Sequence, residues 1–527
     1  MTLRTMLLIL PAAAVVGVAL SCASTAGRDP AAGAAVTVAP PVAPVVPGPA
    51  AAGPVLLAVP DDPTVSLGVS FAVGSQDDPK GKEGLAYLTA SLLANGGTKG
   101  RSYQEILAAL YPLAATYDVR VDKEMTTLFG RTHGDNLEAY TGLFTAAFLE
   151  PRFDPADFER LKASQTSFLE KTLRFSSDEE LGKAALHGFV FAGTPYAHPP
   201  QGTVEGVASI TLADVEAFYR QRFTRASAVV ALGGSYPPEL VAKLETAVAR
   251  LPAGRPPATP EPEPAPIAGR ELLLVAKPGA DASISFGFPV DVHRGERDFY
   301  ALWVANSWLG EHRSTVSHLY QVIREARGMN YGDYSYIEVF PEGGARSMPP
   351  TNVPRRRQLF EVWIRTLPNE NAHFALRAAL RELEDLVSGG MTEEEFQLSR
   401  AFLAKYALHF AETTAERLGY ALDDRFYGIE GDGHLARFRA AMASLTRDEV
   451  NAAVRRHLRP ENLKIAIATG DAQGLKQALV SEAPSPMTYG DEKPPALLAE
   501  DEEIEVYPVR INPAKVTVVP IEEFLQR

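Results

Sequence analysis

The sequence predicts an α+β protein with two tandem domains of similar fold, each a mainly antiparallel sheet packed with helices. Three observations carry this prediction. Strand-like and helix-like segments alternate from about residue 55, the order of these segments recurs in the second part of the chain, and a proline-rich stretch separates the two copies. A chain of 527 residues is also too long for one hydrophobic core.

Residues 1–22 have the features of a secretory signal. Arg4 precedes an apolar run from Met6 to Leu20, which is shorter than the ~20 residues that span a bilayer. The only cysteine, Cys22, falls where such a signal is cut. "VALSC" resembles a bacterial lipobox, so we expect Cys22 to be the lipidated first residue of the mature protein. A plain signal peptide with an incidental cysteine is the alternative.

Residues 23–54 form a tether rich in proline and alanine, which cannot build a core and is typical of a semi-rigid spacer. Ala23 after the cysteine resembles the outer-membrane form of lipoprotein signals. We therefore expect an exported protein of the bacterial cell envelope, anchored by lipid to the outer membrane and facing the periplasm.

Charge excludes one class of partner. The formal net charge is −14, whereas phosphate contacts need clustered lysine and arginine, so we expect no nucleic-acid binding. Much of the acidic excess lies in "AEDEEIEVY", within residues 483–527. This composition predicts a solvated acidic C-terminal tail.

The first predicted domain covers residues 55–252. "VSLGVSFAVGS" alternates with a period of two and predicts a strand, "YQEILAALYPLAATY" predicts a helix, and "DVRVDKEMTTLFGRTH" predicts a strand pair. "NLEAYTGLFTAAFLEP" and "DPADFERLKASQTSFLEKTLRF" predict two amphipathic helices.

The second predicted domain, residues 269–482, repeats this order after a proline-rich linker at residues 253–268. "DPADFERLKASQTSFL" and "TEEEFQLSRAFLAKYAL" pair Phe158 with Phe396. Thr211 and Thr446 each precede an acidic residue by three positions, which predicts a capping box at the start of two equivalent helices. The offset between the two threonines is 235 residues (446 − 211).

The order of several motifs is similar to that of the insulinase/pitrilysin (M16) peptidase family. These motifs are "GTPYAHPPQGTVEGVASIT", "REARGMNYGDYS" and "ERLGYALDDRFYG". The resemblance covers the chain from about Val55 to the final "YPVRINPAKVTVVPIEEFL". It implies two LuxS/MPP-like domains that form one half of a clamshell.

The resemblance fails at the zinc motif. Active members carry H-x-x-E-H after G-L-A, and here Tyr87-Leu88-Thr89-Ala90-Ser91 follows Gly-Leu-Ala. Zinc takes imidazole, thiolate or carboxylate ligands, which a phenol and an aliphatic hydroxyl do not replace at neutral pH. The methyl group of Ala90 cannot act as the general base. We therefore expect no metal site at these degenerate zinc-motif positions.

Other candidate ligands are scattered. The spacing of the family's third ligand leads to Phe168, with Glu170 two residues away, and one carboxylate does not make a zinc site. His312 and His318 are six residues apart, which places them on different helix faces, and His198 lies alone in a predicted turn. These positions do not predict a replacement catalytic metal site.

Arg324 and Tyr331, in "YQVIREARGMNYGDYSY", occupy the Arg and Tyr positions of the family's substrate-clamping segment. The resemblance implies that both act on a substrate at a zinc site carried by another chain. A guanidinium can hold a peptide carbonyl or carboxylate, and a phenol can donate to an oxyanion. The alternative is a helical arginine paired with Glu325 and a tyrosine in a strand.

The resemblance thus implies a non-catalytic subunit that needs no cofactor itself. Its expected partners are a zinc-bearing M16 sister subunit, unfolded peptide substrates and, through the lipid anchor, the membrane. One alternative is a peptide-binding or envelope scaffold protein with no enzymatic partner. Another is an enzyme with unrecognised ligands.

Overall fold

The computed structural model describes residues 53–526. Each half of the chain builds one sheet, and we call residues 55–252 the first half and residues 269–526 the second half. The strands of the first half are β1 (Val55–Ala58), β2 (Thr64–Phe71), β3 (Thr116–Val121), β4 (Thr126–His133) and β5 (Ala228–Gly234). Those of the second half are β6 (Arg270–Ala276), β7 (Ala282–Val290), β8 (Asp333–Tyr336), β9 (Gln358–Leu367), β10 (Leu463–Thr469) and β11 (Ile511–Pro520).

The two sheets have the same topology. The first has the order β1-β5-β2-β4-β3, and the second has β6-β10-β7-β9-β8 with β11 added outside β6. In each sheet the pair that includes the first strand is parallel, and the pairs that follow it are antiparallel. The predicted duplication and the predicted α+β class, with mainly antiparallel sheets, are confirmed.

Each half of the chain has its own series of α-helices. In the first half they are α1 (Leu85–Asn95), α2 (Tyr103–Leu110), α3 (Leu137–Leu149), α4 (Pro155–Ser167), α5 (Asp178–Val190), α6 (Val204–Ser209), α7 (Leu212–Arg222) and α8 (Pro238–Ala249). In the second they are α9 (Arg297–Gly310), α10 (Ala372–Gly389), α11 (Glu393–Tyr406), α12 (Thr414–Tyr427), α13 (Gly433–Ser444), α14 (Arg447–His457), α15 (Ala472–Val480) and α16 (Pro495–Ile504). Two π-helices, Phe168–Ser176 and Tyr320–Glu325, extend the helical segments.

Local signals explain where equivalent helices begin. The hydroxyl groups of Thr211 and Thr446 each accept from the backbone N–H three residues on. The carboxylate of that third residue accepts from the backbone N–H of the threonine, as the capping boxes predict. Phe158 and Phe396 are both buried. One predicted helix is shorter than expected, because α2 ends at Leu110 and a single 3₁₀ turn that contains proline follows it.

The two halves exchange a helix. α5 belongs to the first half by sequence, yet its Leu181, Ala185 and Leu186 pack against the second sheet, in one cluster with Leu273 and Ala466. The equivalent α12 packs on the first sheet in the same way, against β1, β5 and β2. Each sheet is therefore covered on one face by its own helices and on the other by a helix from the other half.

The C-terminal segment differs from the prediction of a solvated tail. β11 pairs in parallel with β6 as the outermost strand of the second sheet. The acidic stretch lies largely in α16, where Asp501 is buried and accepts from the Arg327 guanidinium at 2.8 Å. The acidic side chains bind a buried cation instead of facing only water, and composition alone could not indicate this.

The proline-rich stretch at residues 253–268 contains no helix or strand. It lies against both halves, because Glu261 and Glu263 form ion pairs with Arg356 and Arg357 of the second half and Thr259 donates to Asp77 of the first. Across residues 53–526, no helix combines the length and the apolar character that crossing a membrane requires.

Candidate functional site: a degenerate zinc helix beside an interdomain cavity

Helix α1, which carries the degenerate zinc motif, has a rigid N-terminus. Gly84 precedes it with φ of +105°, and a Cβ there would come within 2.6 Å of the Gln165 amide nitrogen. The buried Asp78 carboxylate accepts from the backbone N–H of Gly84 and of Ala86, both at 2.7 Å. These contacts fix the first turn of α1 and hence the position of Tyr87.

The side chains of the motif do not form a zinc site. Tyr87 is half-buried, Ala90 is fully buried and Ser91 is 9% exposed. Burial raises the pKa of the Tyr87 phenol, so the phenol stays protonated at neutral pH. Within residues 53–526, no group of three His, Cys, Asp or Glu side chains has an arrangement that could hold a metal ion. The residues at this helix do not fit zinc.

Tyr87 faces a cavity of about 550 Å³ between the two halves, which we call the interdomain cavity. α1, the C-terminal end of β3 and the π-helix at residues 168–176 contribute to its wall from the first half. The segment at residues 339–355 and strand β9 contribute from the second half, and α5 and residues 199–201 also line the cavity. The cavity is thus built by both copies of the repeat.

Phe168 and Glu170 both lie in the π-helix at residues 168–176, but only Phe168 lines the interdomain cavity. Phe168, at the position to which the third-ligand spacing leads, lines the interdomain cavity together with Thr172. Glu170 is not part of this lining; burial lowers the pKa of the neighbouring Arg174, and the charge of Glu170 opposes this shift only in part. A phenyl ring therefore occupies the place where the family spacing leads to a carboxylate.

Ion pairs between the halves border the cavity, and the sequence did not predict them. The Arg355 guanidinium donates two bonds of 2.6 Å to the Asp122 carboxylate and one of 2.8 Å to Nε2 of His187. Arg356 donates to the Glu124 carboxylate at 2.5 Å. Asp122 and Glu124 lie in the β3–β4 turn, where charged residues are usually solvated, so a local sequence signal was absent.

Lys123 lies between these two acidic residues and is 1% exposed. Its ammonium donates to the carbonyl of His198, and burial lowers its pKa to about 7. Burial also lowers the pKa of His198, to about 3, so this imidazole is neutral. The cavity wall thus contains a lysine whose charge is sensitive to pH near neutrality.

Arg324 and Tyr331 lie together at a different place. The guanidinium carbon of Arg324 is 5.9 Å from the centre of the Tyr331 ring, and Tyr331 is 78% exposed. Neither residue lines the interdomain cavity. The structure therefore brings these two predicted residues together and does not bring them to Tyr87.

The segment that carries them is fixed by Arg327. The Arg327 side chain is fully buried and donates to Glu500 at 2.9 Å and to Asp501 at 2.8 Å, both in α16. His312 and His318 have separate partners, since His312 contacts the Tyr336 hydroxyl and His318 contacts the Glu382 carboxylate. Cys22, the predicted lipidation site, is outside the described residues 53–526.

Comparison with known proteins agrees with this architecture. The family model described as insulinase (peptidase family M16) matches residues 55–197, and the model described as peptidase M16 inactive domain matches residues 209–403. The chain is 27% identical over 424 residues to an uncharacterized zinc protease of Mycobacterium tuberculosis, covering 79% of this chain and 91% of that protein. It is 25% identical over 407 residues to the non-peptidase homolog YmxG of Helicobacter pylori, covering 76% and 88%.

Solved structures share the fold. A peptidase M16 inactive domain from Pseudomonas fluorescens superposes with a TM-score of 0.69 at 24% identity, covering 78% of this chain and 94% of that chain. A protease from Helicobacter pylori gives a TM-score of 0.66 at 17% identity, covering 78% and 96%. The two family models together span most of the described residues, in the order that the duplication requires. The chain therefore belongs to the M16 (insulinase) peptidase family.

Proposed function

We propose that this chain is a non-catalytic M16 subunit that supplies Arg324 and Tyr331 to the active site of a zinc-bearing sister chain. The observation that carries the proposal is the position of the pair. Arg324 and Tyr331 lie side by side, Tyr331 is exposed, and both are apart from the cavity that holds the degenerate motif. Residues placed in this way are available to a second molecule.

The chemistry of the pair suits peptide hydrolysis in a partner. A guanidinium offers a planar set of donors for a substrate carbonyl or carboxylate. A phenol O–H can donate to the oxyanion that develops when water attacks a peptide carbonyl. The buried bonds of Arg327 to α16 support this role, because they limit the movement of the segment between the two residues.

The test uses the chain co-expressed with a sister subunit that carries H-x-x-E-H and a quenched fluorescent peptide. We expect Tyr331→Phe to lower kcat on the order of 10²-fold, by analogy with removal of one oxyanion donor. Arg324→Ala should also raise KM, because arginine would hold the substrate before and during reaction. The chain alone should show no zinc-dependent turnover.

Matched controls are available on the surface of the first half. Tyr111→Phe removes a hydroxyl from a tyrosine that is 88% exposed, and Arg220→Ala removes an exposed guanidinium. Both controls should keep full activity in the complex. Full activity of Tyr331→Phe and Arg324→Ala in an intact complex would reject the proposal.

A second candidate function is peptide binding without an enzymatic partner. It is favoured by β3, which among residues 53–526 pairs only with β4, so that within this part of the chain one edge of the first sheet has no partner strand. The C-terminal end of β3 lines the interdomain cavity. An extended peptide can add to such an edge through main-chain hydrogen bonds.

A further inference from the structure

The interdomain cavity has the size and surface of a ligand site. Its volume of about 550 Å³ lies within the range of small-molecule and peptide side-chain pockets. Apolar side chains from both halves form much of its wall, among them Phe168, Leu173, Val339, Val353 and Leu359. A ligand that fills it needs an apolar part.

The end of β3 gives this cavity two cations without an acidic partner. The Arg120 guanidinium donates to the carbonyl of Thr351 at 2.6 Å, and the Lys123 ammonium donates to the carbonyl of His198. Within residues 53–526, neither cation has a carboxylate within 4.0 Å. Burial and the nearby Arg346 lower the pKa of Arg120, and the charges of Glu342, Asp423 and Asp118 offset this only in part.

Two of the four carboxylates of the cavity wall are paired with arginines, whereas Oε1 of Glu180 and Oε1 of Glu361 are buried without a hydrogen-bond partner among residues 53–526. Asp122 binds Arg355, and Glu342 binds Arg346 at 2.7 Å. Glu361 interacts with the charge of Lys183, and burial raises its pKa. The lining contains five cations and four carboxylates, namely Arg120, Lys123, Lys183, Arg346 and Arg355 against Asp122, Glu180, Glu342 and Glu361. When Lys123, whose pKa is about 7, is charged, the cations outnumber the carboxylates by one, and Arg120 and Lys123 both lie at the end of β3.

We propose that the interdomain cavity binds the free C-terminal carboxylate of a peptide whose last side chain is apolar, with Arg120 as the main carboxylate ligand. This inference rests on the peptide-binding candidate above and not on a partner enzyme. The apolar wall receives the last side chain, and the Arg120 guanidinium binds the carboxylate. Charge-assisted bonds to a partly buried guanidinium are the strong class of hydrogen bond.

The charge distribution selects between the two ends of a peptide. At the end of β3 an N-terminal ammonium would meet Arg120 and Lys123, neither of which has a carboxylate within 4.0 Å among residues 53–526, so like charges would repel it there. A carboxylate removes this imbalance and favours the charged form of Lys123. The unpaired edge of β3 leads to the same place, so a peptide added to that edge can reach the cavity.

The experiment is isothermal titration of the full chain, without a partner, against an N-acetylated pentapeptide that ends in leucine. We expect the peptide with a free carboxylate to bind about 10–100-fold more tightly than its C-terminal carboxamide, which is the range for one charge-assisted bond. Arg120→Gln should weaken the free-acid peptide by a similar factor and leave the carboxamide nearly unchanged. Arg220→Gln, at an exposed arginine outside the cavity, should change neither affinity.

Three results would overturn the proposal. They are equal affinities for the acid and the carboxamide, binding of neither, and binding of decanoate without binding of the peptide. Decanoate offers the same carboxylate with an apolar chain, so its competition with a bound peptide would instead support the site. If Arg120→Gln fails to fold by circular dichroism, the acid–carboxamide comparison on the unchanged chain still decides. Loss of this binding would leave the Arg324 and Tyr331 experiment unaffected.

Discussion

Lys123 shows that contacts with the second half of the chain can bury a residue whose local sequence predicts exposure. Asp122, Lys123 and Glu124 follow β3 and, taken alone, are typical of a solvated hairpin turn. In the structure Arg355 and Arg356 bind the two carboxylates, and the lysine between them is 1% exposed. The burial of a charged turn follows from contacts more than 230 residues away in the chain, as the separation of Asp122 and Arg355 (233) shows.

This burial predicts a pH dependence of stability. The folded pKa of Lys123 is about 7 and the unfolded value is near 10.5, so between these values the unfolded chain binds more protons. The free energy of unfolding should therefore rise with pH across this window, by up to about 1.4 kcal/mol per pH unit from this group. Lys123→Met should remove that contribution to the slope, measured by urea denaturation at pH 7, 8 and 9.

The control is Lys99→Met, at a solvent-exposed lysine, which should keep the slope of the unchanged protein. Parallel pH profiles for Lys123→Met and the unchanged protein would show that the folded chain does not disfavour the charge at this position. Because each variant is compared with itself across pH, the hydrogen bond to the His198 carbonyl lost in Lys123→Met does not enter the slope.

At the scale of elements, the sequence predicted helices and strands better than it predicted their partners. The apolar periodicity and the capping boxes identify α7 and α14, and the strand pair β3–β4 lies where the alternation places it. The amphipathic pattern of α5 and α12 indicates a buried face and does not indicate which sheet covers it. For the same reason the sequence did not predict the partner of α16, whose acidic residues bind the buried Arg327.

Two glycines at the exchanged helices make a matched pair for substitution. A Cβ at Gly233, on β5, would lie 2.9 Å from Cγ2 of Thr414 in α12, so alanine needs movement there. A Cβ at Gly182, within α5, would lie 3.4 Å from Oγ of Ser283, which is an ordinary contact. We expect Gly233→Ala to destabilise by about 1–3 kcal/mol. Gly182→Ala should be neutral or stabilising by up to about 1 kcal/mol, from helix propensity.

Thermal unfolding of both variants measures this difference directly. A lower Tm for Gly233→Ala together with an unchanged or higher Tm for Gly182→Ala is the expected result. Equal decreases of Tm in both variants would mean that neither helix–sheet contact accommodates an added methyl group. Equal small effects would mean that α12 adjusts its position over β5 without strain, and the close packing inferred at Gly233 would then be wrong.

At the scale of the whole molecule, the duplication explains the topology but not the coupling of the halves. The repeat predicts two domains of the same fold, and the two strand orders confirm that fold. It does not predict that each domain completes the other. The helix exchange, the Asp122–Arg355 pair and the cavity are all built between the copies. None has a signature in either copy alone, because each depends on how the copies meet.

This coupling predicts that neither half folds by itself. A fragment of residues 53–254 keeps α5 without the second sheet, so its Leu181, Ala185 and Leu186 would be exposed. Its own sheet would lose α12, which covers β1 and β5. Exposed apolar faces of this kind lead to association or unfolding. We expect each fragment alone to lack cooperative thermal unfolding and to bind hydrophobic dye, and residues 53–254 and 255–527 mixed after refolding to form one complex.

The control is the full chain cut only in the proline-rich stretch, by a protease site placed between Pro252 and Glu263, where the chain has no helix or strand. The cut protein should elute from gel filtration as one species and unfold in one transition, because the exchanged helices and the buried ion pairs hold the halves together without the linker. A fragment of residues 53–254 that unfolds cooperatively alone would contradict this account. It would mean that α5 can turn back onto its own sheet, so the exchange would depend on the second half being present.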